Sequence, residues 1–192
     1  NTLAPGYTDG VVLNAGTGTI SIHGAKVAET IGLGTTSGQM HITDTELKSV
    51  VTSSGLRLGD SDDGTTTING ITQLGSNNIA SIVTIVAQAD AAQLVFATAP
   101  STFNILVGQA DSGILVQVDC TTDVGKLTLD ADLDEQSAGG DTHNKLAIAG
   151  ARTLTAKGTM TLDSTNAGIS RSEFATVTLR AEAGIVIDDN LS

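Results

Sequence analysis

Between Lys126 and Asp188 one short pattern is written five times. It appears as Lys126-Leu-Thr-Leu-Asp130, Lys145-Leu-Ala-Ile-Ala149, Thr159-Met-Thr-Leu-Asp163, Thr176-Val-Thr-Leu-Arg180 and Gly184-Ile-Val-Ile-Asp188. Each copy is an apolar–small–apolar strand, and turns rich in Gly, Asp, Asn and Ser separate them. A strand with this period of two buries one face only, and strands this short are not stable by themselves. The chain must therefore satisfy each strand with another like it, over and over. Wrapping it so that successive turns stack about 4.8 Å apart pairs every strand above and below.

The residue inventory agrees with that solution. There is no Trp, one Tyr (Tyr7) and three Phe (Phe96, Phe103, Phe174), so a core must be built from Val, Ile, Leu and Ala. A narrow interior lined by aliphatic side chains has no room for large rings. With 22 Gly and only two Pro, the chain is equipped for many strands and tight corners. The most helix-like stretch, Asn78 to Val95, contains the β-branched run Ile82-Val-Thr-Ile-Val86, which disfavours a helix. Ala87 to Ala92 is the one short segment left as a helix candidate. The fold class read from these features is all-β.

Repetition extends to the start of the chain. Leu13-Asn-Ala-Gly-Thr-Gly18-Thr-Ile20-Ser-Ile22 lies over Leu33-Gly-Thr-Thr-Ser-Gly38-Gln-Met40-His-Ile42 at an offset of about 20 residues, the scale of one solenoid coil. Gln93 to Gly125, Lys126 to Gly158 and Thr159 to Asn190 read as three units of about 32 or 33 residues, aligning Leu94, Leu127 and Met160 and, separately, Leu146 with Val177. Phase weakens from Thr43 to Gly75. There, Thr65-Thr-Thr-Ile-Asn69-Gly70-Ile-Thr-Gln-Leu74 is nearly symmetric about Asn-Gly, a local hairpin signal. The expected architecture is a right-handed parallel β-helix (β-solenoid) with a protruding hairpin, and the alternative is an antiparallel β-sandwich. One domain is expected over residues 1–192: regular coils in 1–42, an irregular segment with the hairpin in 43–75, and regular repeats in 76–190.

The Gly/Ala turns alternating with Leu-Thr-Leu, Met-Thr-Leu-Asp and Val-Thr-Leu-Arg strands, as in Ala156-Lys-Gly-Thr-Met-Thr-Leu-Asp163 and Ala183-Gly-Ile-Val-Ile-Asp188, carry a resemblance. The pattern resembles the β-strand-repeat surface proteins of bacteria of the filamentous-haemagglutinin type, over about two thirds of the chain. That resemblance implies a right-handed parallel β-helix in an exported, adhesive or fibre-forming protein. It carries over no functional residues, since that family has no motif-defined site.

Charge narrows the partners. Nine Lys and Arg against 21 Asp and Glu give a net charge of −12, which repels nucleic acid and anionic membranes. No apolar run reaches the ~20 residues needed to span a bilayer, so membrane insertion is not expected. Cys120 falls on the Val116/Val118/Cys120 face of an alternating segment and reads as a small buried hydrophobe. The chain begins at Asn1 without Met, which reads as a processed chain or a segment of a longer one.

Candidate chemistry is sparse. Asp130, Asp132 and Asp134, followed by Glu135 and Asp141, place carboxylates at alternate positions, the way calcium loops gather oxygen ligands. An EF-hand-like loop needs Gly at its sixth position and Glu at its twelfth, and this stretch has Glu135 and Asp141 there. Asp60 and Asp62, with Asp63 ahead of Gly64, form a second acidic turn. Calcium is the one cofactor these turns suggest, against the simpler reading of solvated acidic turns that discourage sideways aggregation. His23, His41 and His143 are far apart without zinc-like spacing, so a transition-metal site is not expected. No Gly-x-Ser-x-Gly elbow is present, and the clustered Arg and aromatic platforms of polysaccharide-active β-helix enzymes are missing. No catalytic or cofactor-binding residue is assigned, and the chain is read as a non-enzyme.

The expected function is thus structural: a subunit or segment of an extracellular prokaryotic fibre or adhesin. Neither Asn1 to Gly10 nor Asp188 to Ser192 offers a capping helix or a charged blocking strand, so the expected partner is another copy or a neighbouring repeat, stacked end to end. The alternative is a cell-surface adhesin module whose partner is a glycan or a host protein. A polysaccharide-active enzyme is the third reading.

Overall fold

The computed structural model describes residues 12–135, 143–172 and 175–191. Strands are numbered along the chain. The first sheet holds seven, in the order β2 (Ile20–Ile22), β6 (Leu56–Leu58), β8 (Val83–Ala87), β11 (Leu106–Ala110), β14 (Leu127–Asp130), β17 (Met160–Asp163) and β20 (Ile185–Ile187). The second also holds seven: β4 (Met40–Ile42), β3 (Ile31–Gly34), β7 (Thr66–Asn69), β9 (Leu94–Phe96), β12 (Ile114–Val116), β15 (Leu146–Ile148) and β18 (Ile169–Arg171). The third holds β10 (Ser101–Phe103), β13 (Cys120–Thr122), β16 (Thr153–Ala156) and β19 (Thr178–Ala181), while β1 (Leu13–Gly16) pairs with β5 (Val50–Thr52).

Every strand pair among the described residues is parallel, which disposes of the antiparallel sandwich. From β8 onward the chain visits the first, second and third sheets in fixed rotation. Each strand thus meets the strand one circuit earlier and the strand one circuit later. This is how three- to five-residue segments, too short for a sheet of their own, keep their backbone groups paired.

Alternation decides what faces inward. In the first sheet Ile20, Leu56, Val83, Leu106, Leu127 and Met160 align as one column, and Leu58, Ile85, Leu129 and Leu162 lie along a second. The second sheet contributes Ile31, Leu94, Ile114, Leu146 and Ile169 in register, with Leu33, Ile68, Phe96, Val116 and Ile148 beside them. These columns meet in one hydrophobic cluster that also takes in Phe103, Cys120 and Leu154 from the third sheet. Cys120 is fully buried there, as its alternation predicts. Burial pushes its thiol up to about 12, so it is an inert filler.

The expected hairpin does not form. Thr66–Asn69 is a strand held in parallel between β3 and β9. Asn69 turns its side chain to the corner, donating to the Thr35 carbonyl at 2.9 Å and accepting from the Ala99 N–H at 3.1 Å. Gly70 takes φ +71° and sends the chain onward instead of back along β7. Asn-Gly supplies left-handed backbone, and a corner between parallel strands uses that as readily as a two-residue hairpin does.

Two repeat lengths also need correction. Ile20 pairs with Leu56, and Met40 with Ile31, so the 20-residue overlay of the first strands is not one circuit. Leu127 does pair with Met160, yet Leu94 pairs with Ile114, and Leu146 pairs with Ile169. A circuit advances 21 residues from Leu106 to Leu127 but 36 from Ile20 to Leu56, because the longer one also takes in β4 and the helix Asp44–Lys48.

Helix is confined to two short corner pieces. In α1 (Asp44–Lys48), Thr43 and Glu46 form a capping box: the Thr43 Oγ1 accepts from the Glu46 N–H, and Glu46 accepts from the Thr43 N–H. In α2 (Gln73–Ser76) Thr72 is the cap, and Asp44 of α1 accepts from both its N–H and its hydroxyl at 2.8 Å. The two helices are thereby tied together. The other helix candidate, Ala87 to Ala92, is the end of β8 and a turn with Ala91 at φ +62°. No described helix is long and apolar enough to cross a membrane.

Candidate functional site

The chain leaves the first sheet for the second through a corner that recurs in every circuit, and the buried carboxylates gather there. Asp63, Asp111 and Asp132 all sit at this corner and are almost fully buried. Each binds a backbone N–H of a neighbouring circuit. Asp63 Oδ1 accepts from Gly24 at 2.8 Å, Asp111 Oδ2 from Ala91 at 2.9 Å, and Asp132 Oδ2 from Asn166 at 2.8 Å. A buried charge must be compensated by such bonds, and spanning two circuits lets the same bonds hold the corner loops in register.

The structure does not draw Asp130, Asp132 and Asp134 into one group of possible ligands among the described residues. Asp132 is committed to protein donors: Asn144 Nδ2 at 3.1 Å, and the N–H and Nδ2 of Asn166 at 2.8 and 2.7 Å. Asp130 lies at the outer end of β14, directly against Asp163 of β17, with Gln109 on its other side. Alternation explains the separation, since Asp130 follows the strand's outward face while Asp132 has already turned into the corner. Burial raises the Asp130 carboxyl above its ordinary value, as do the nearby Asp163 and Asp132 charges, against bonds from the Asp132 N–H and Gln109. Asp163 is likewise raised, by burial first and then by Asp188, Asp189 and Glu135. Asp134 is half-buried in the turn beyond, and Asp141 lies outside the described residues.

The other acidic turn does draw possible ligands together, with different members. His23, Asp60 and Asp63 bring one ring nitrogen and two carboxylate oxygens within 4.8 Å of one another, the one such group of His, Cys, Asp or Glu among the described residues. Asp62 is not part of it. It is exposed, and its backbone N–H donates to Asp60 Oδ1 at 2.9 Å. His23 Nδ1 stands 3.3 Å from Asp60 Oδ2 and 2.9 Å from the Gly24 carbonyl oxygen. Asp63 accepts from the Gly24 N–H on one oxygen and the Asp60 N–H, at 2.9 Å, on the other. Burial lifts its carboxyl above the ordinary value, partly offset by those two bonds.

The local sequence explains the approach. Gly24 follows His23, and a Cβ at that position would lie 2.3 Å from Asp63 Oδ1, so the backbone comes this close only because the residue is glycine. His23 leaves β2 and Asp60 leaves β6, strands paired in register, so the two residues follow one another by a single step at the same corner. Sequence reasoning grouped Asp60 with Asp62 by adjacency and dismissed His23 as remote. The only available signal was that Ile20-Ser-Ile22-His23 and Leu56-Arg-Leu58 are equivalent strands.

Along the third sheet, Thr122, Thr155, Lys157, Leu179, Arg180 and Glu182 line a depression of ≈ 680 Å³ that reaches Ile185 of β20. No family model, no characterised protein and no solved structure matches the chain.

Proposed function

We propose that the chain is a parallel β-solenoid that serves as a structural subunit or segment of an extracellular prokaryotic fibre or adhesin shaft, joined end to end by strand pairing. Right-handed winding is the expectation, since crossovers between parallel strands of one sheet are almost always right-handed. The observation that carries this reading is the exposed apolar strand β20 at the edge of the first sheet. Ile185, Val186 and Ile187 of β20 are 42%, 44% and 38% exposed, whereas Met160 and Leu162, one circuit back, are fully buried. Beside them, Ile148, Leu162, Ile169, Val177, Leu179 and Leu191 line a recess of ≈ 300 Å³ continuous with the core. An apolar strand edge of this kind is a template for another strand. The matching surface is β2, whose Ile20-Ser-Ile22 begins the same sheet with the same alternation. The likeness to β-strand-repeat surface proteins points the same way.

Electron microscopy tests this. Seven strands at about 4.8 Å predict filaments with an axial repeat near 34 Å. Ile187→Lys places a charge on the edge, and the expected result is a folded monomer without filaments. A wild-type protein that stays monomeric at every concentration, with Ile187→Lys indistinguishable from it, overturns the proposal.

A further inference from the structure

We propose that His23, Asp60 and Asp63 bind one divalent transition-metal ion, zinc being the best match, which clasps the first two circuits of the chain together. The inference stands apart from the end-to-end reading, because it concerns a corner on the flank of the stack.

Geometry is the first argument. The 3.3 Å between His23 Nδ1 and Asp60 Oδ2 is long for a charge-assisted hydrogen bond, which runs at about 2.7–2.9 Å. It is the separation expected of two ligands on one ion. Atoms about 2.0–2.1 Å from a tetrahedral zinc lie about 3.3–3.4 Å apart, and those in an octahedral set about 3.0 Å apart. The Gly24 carbonyl oxygen, 2.9 Å from the same nitrogen, is placed to complete the shell. Where no ion is bound, that carbonyl takes the Nδ1–H hydrogen, and the nitrogen lone pair becomes available once the ring adopts its other tautomer.

Orientation is the second argument. Each carboxylate is fixed by backbone donors yet keeps free lone pairs. Asp60 Oδ1 takes the Asp62 N–H, leaving Oδ2 toward His23. Asp63 takes one N–H on each oxygen, from Gly24 and from Asp60, and each oxygen keeps a second lone pair. Outer hydrogen bonds of this kind commonly hold metal ligands in place.

Charge is the third. Among the described residues neither Asp60 nor Asp63 has a Lys or Arg partner, so two carboxylates and an imidazole stand within 4.8 Å of one another without a permanent cation. A divalent cation neutralises that pair. The nitrogen ligand sets the class of ion, since calcium takes oxygen ligands alone whereas imidazole with carboxylate suits zinc, cobalt and nickel. The corner's other buried aspartates form the internal comparison. Asp111 and Asp132 make the same backbone bonds without belonging to any such group among the described residues, so the bonding across circuits does not by itself require His23.

The test uses the full chain without a polyhistidine tag, stripped with a chelator and titrated with zinc chloride by calorimetry. One ion per chain is expected, with affinity falling at least tenfold in His23→Ala and in Asp60→Asn and unchanged in His41→Ala and His143→Ala. His23 is a surface residue, so a circular dichroism spectrum matching wild type is expected for His23→Ala. Zinc at a hundredfold excess over its dissociation constant should raise the melting temperature by about 5–10 °C, and calcium at the same concentration should not. Cobalt(II) should give visible absorption with wild type and none with folded His23→Ala. Absence of saturable zinc binding, equal affinity in His23→Ala, or displacement of zinc by equimolar calcium each overturns the proposal.

Discussion

Thr66 and Thr52 are both buried threonines in this stack, and valine should change the stability of the protein in opposite directions at the two positions. Thr66 stands in the column Ile31–Thr66–Leu94, fully buried, and its hydroxyl has no hydrogen-bond partner among the described residues. A buried hydroxyl without a partner costs about 1–3 kcal/mol. Valine has nearly the same shape and suits a strand position between aliphatic neighbours. Thr66→Val should therefore stabilise the protein by about 1–2 kcal/mol, a rise of about 3–6 °C in melting temperature for a chain of this size. Thr52 is as deeply placed, but its Oγ1 donates to the Gly18 carbonyl at 2.6 Å and accepts from the N–H groups of Ser54 and Gly55 at 3.1 and 3.2 Å. Thr52→Val removes that hub and should destabilise by about 2–3 kcal/mol. Urea unfolding followed by circular dichroism reads both changes as shifts of the midpoint at constant slope. Thr66→Val at or below wild-type stability, alongside the expected loss in Thr52→Val, would refute the reasoning, because the Thr66 hydroxyl would then be bonded after all.

Three further outcomes follow from named contacts. Asp130 and Asp163 lie directly opposite each other with carboxyls raised above their ordinary values, so the folded state binds protons more tightly than the unfolded state does. The penalty is complete above the raised folded values and disappears as pH falls through them toward the unfolded value; Asp163→Asn should accordingly raise the unfolding free energy measured in urea by about 0.5 kcal/mol at neutral pH and by nothing near pH 4. The Cys120 thiol, raised to about 12 by burial, should be silent to Ellman's reagent at pH 8 in the folded protein and should titrate as one thiol in guanidinium. Asp132→Ala strands the buried Nδ2 donor of Asn144 and removes two bonds to the exposed Asn166, and it should cost about 2 kcal/mol in the same urea assay, whereas a solvated acidic turn would lose almost nothing.

The strands were readable from the sequence, and their partners were not. Leu127–Asp130, Leu146–Ile148, Met160–Asp163 and Ile185–Ile187 fall where the apolar–small–apolar pattern puts them, and Ile20–Ile22 and Met40–Ile42 do so earlier in the chain. Alternation reports which face is buried, but not which strand lies alongside. Pairing depends on how many residues each corner consumes, and polar corner sequences do not announce this. Asn69-Gly70 shows the difficulty, since the dipeptide specifies left-handed backbone and not the direction taken afterwards. The helix at Asp44–Lys48 did leave a legible signal, because Thr43-Asp-Thr-Glu46 is a capping box in the segment where strand phase fades. The metal-ligand cluster was hidden for the same reason as the pairing. His23 and Asp60 are 37 residues apart, a separation that means contact only once Ile20 is known to sit on Leu56.

That dependence on circuit length also explains why a clasp is useful at this corner in particular. The advance from Ile20 to Leu56 spends 36 residues where the advance from Leu106 to Leu127 spends 21, yet each adds one strand to the first sheet. The longer circuit, with β4 and α1 included, orders more backbone for the same step along that column, and each ordered residue costs about 1–2 kcal/mol of conformational entropy. Some of that is recovered locally, through α1 and through the Asp63 carboxylate. At the narrow circuits the corner between first and second sheets is only three residues, Asp111 to Gly113, and the aspartate bond to Ala91 ties it to the circuit before. Between β2 and β3 the same corner runs from His23 to Thr30, with Gly24 bonded across to Asp63 and Glu29 bonded back to Ala25 and Lys26. A cation bridging His23 to Asp60 and Asp63 adds a contact that the unfolded chain lacks, at the circuit with the most backbone to order. The stabilising effect of zinc should therefore appear as protection of amides in residues 23–30 and 60–64 from hydrogen exchange, with β14 to β17 unchanged. Uniform protection along the stack would show that the ion acts on the fold as a whole and not on this corner.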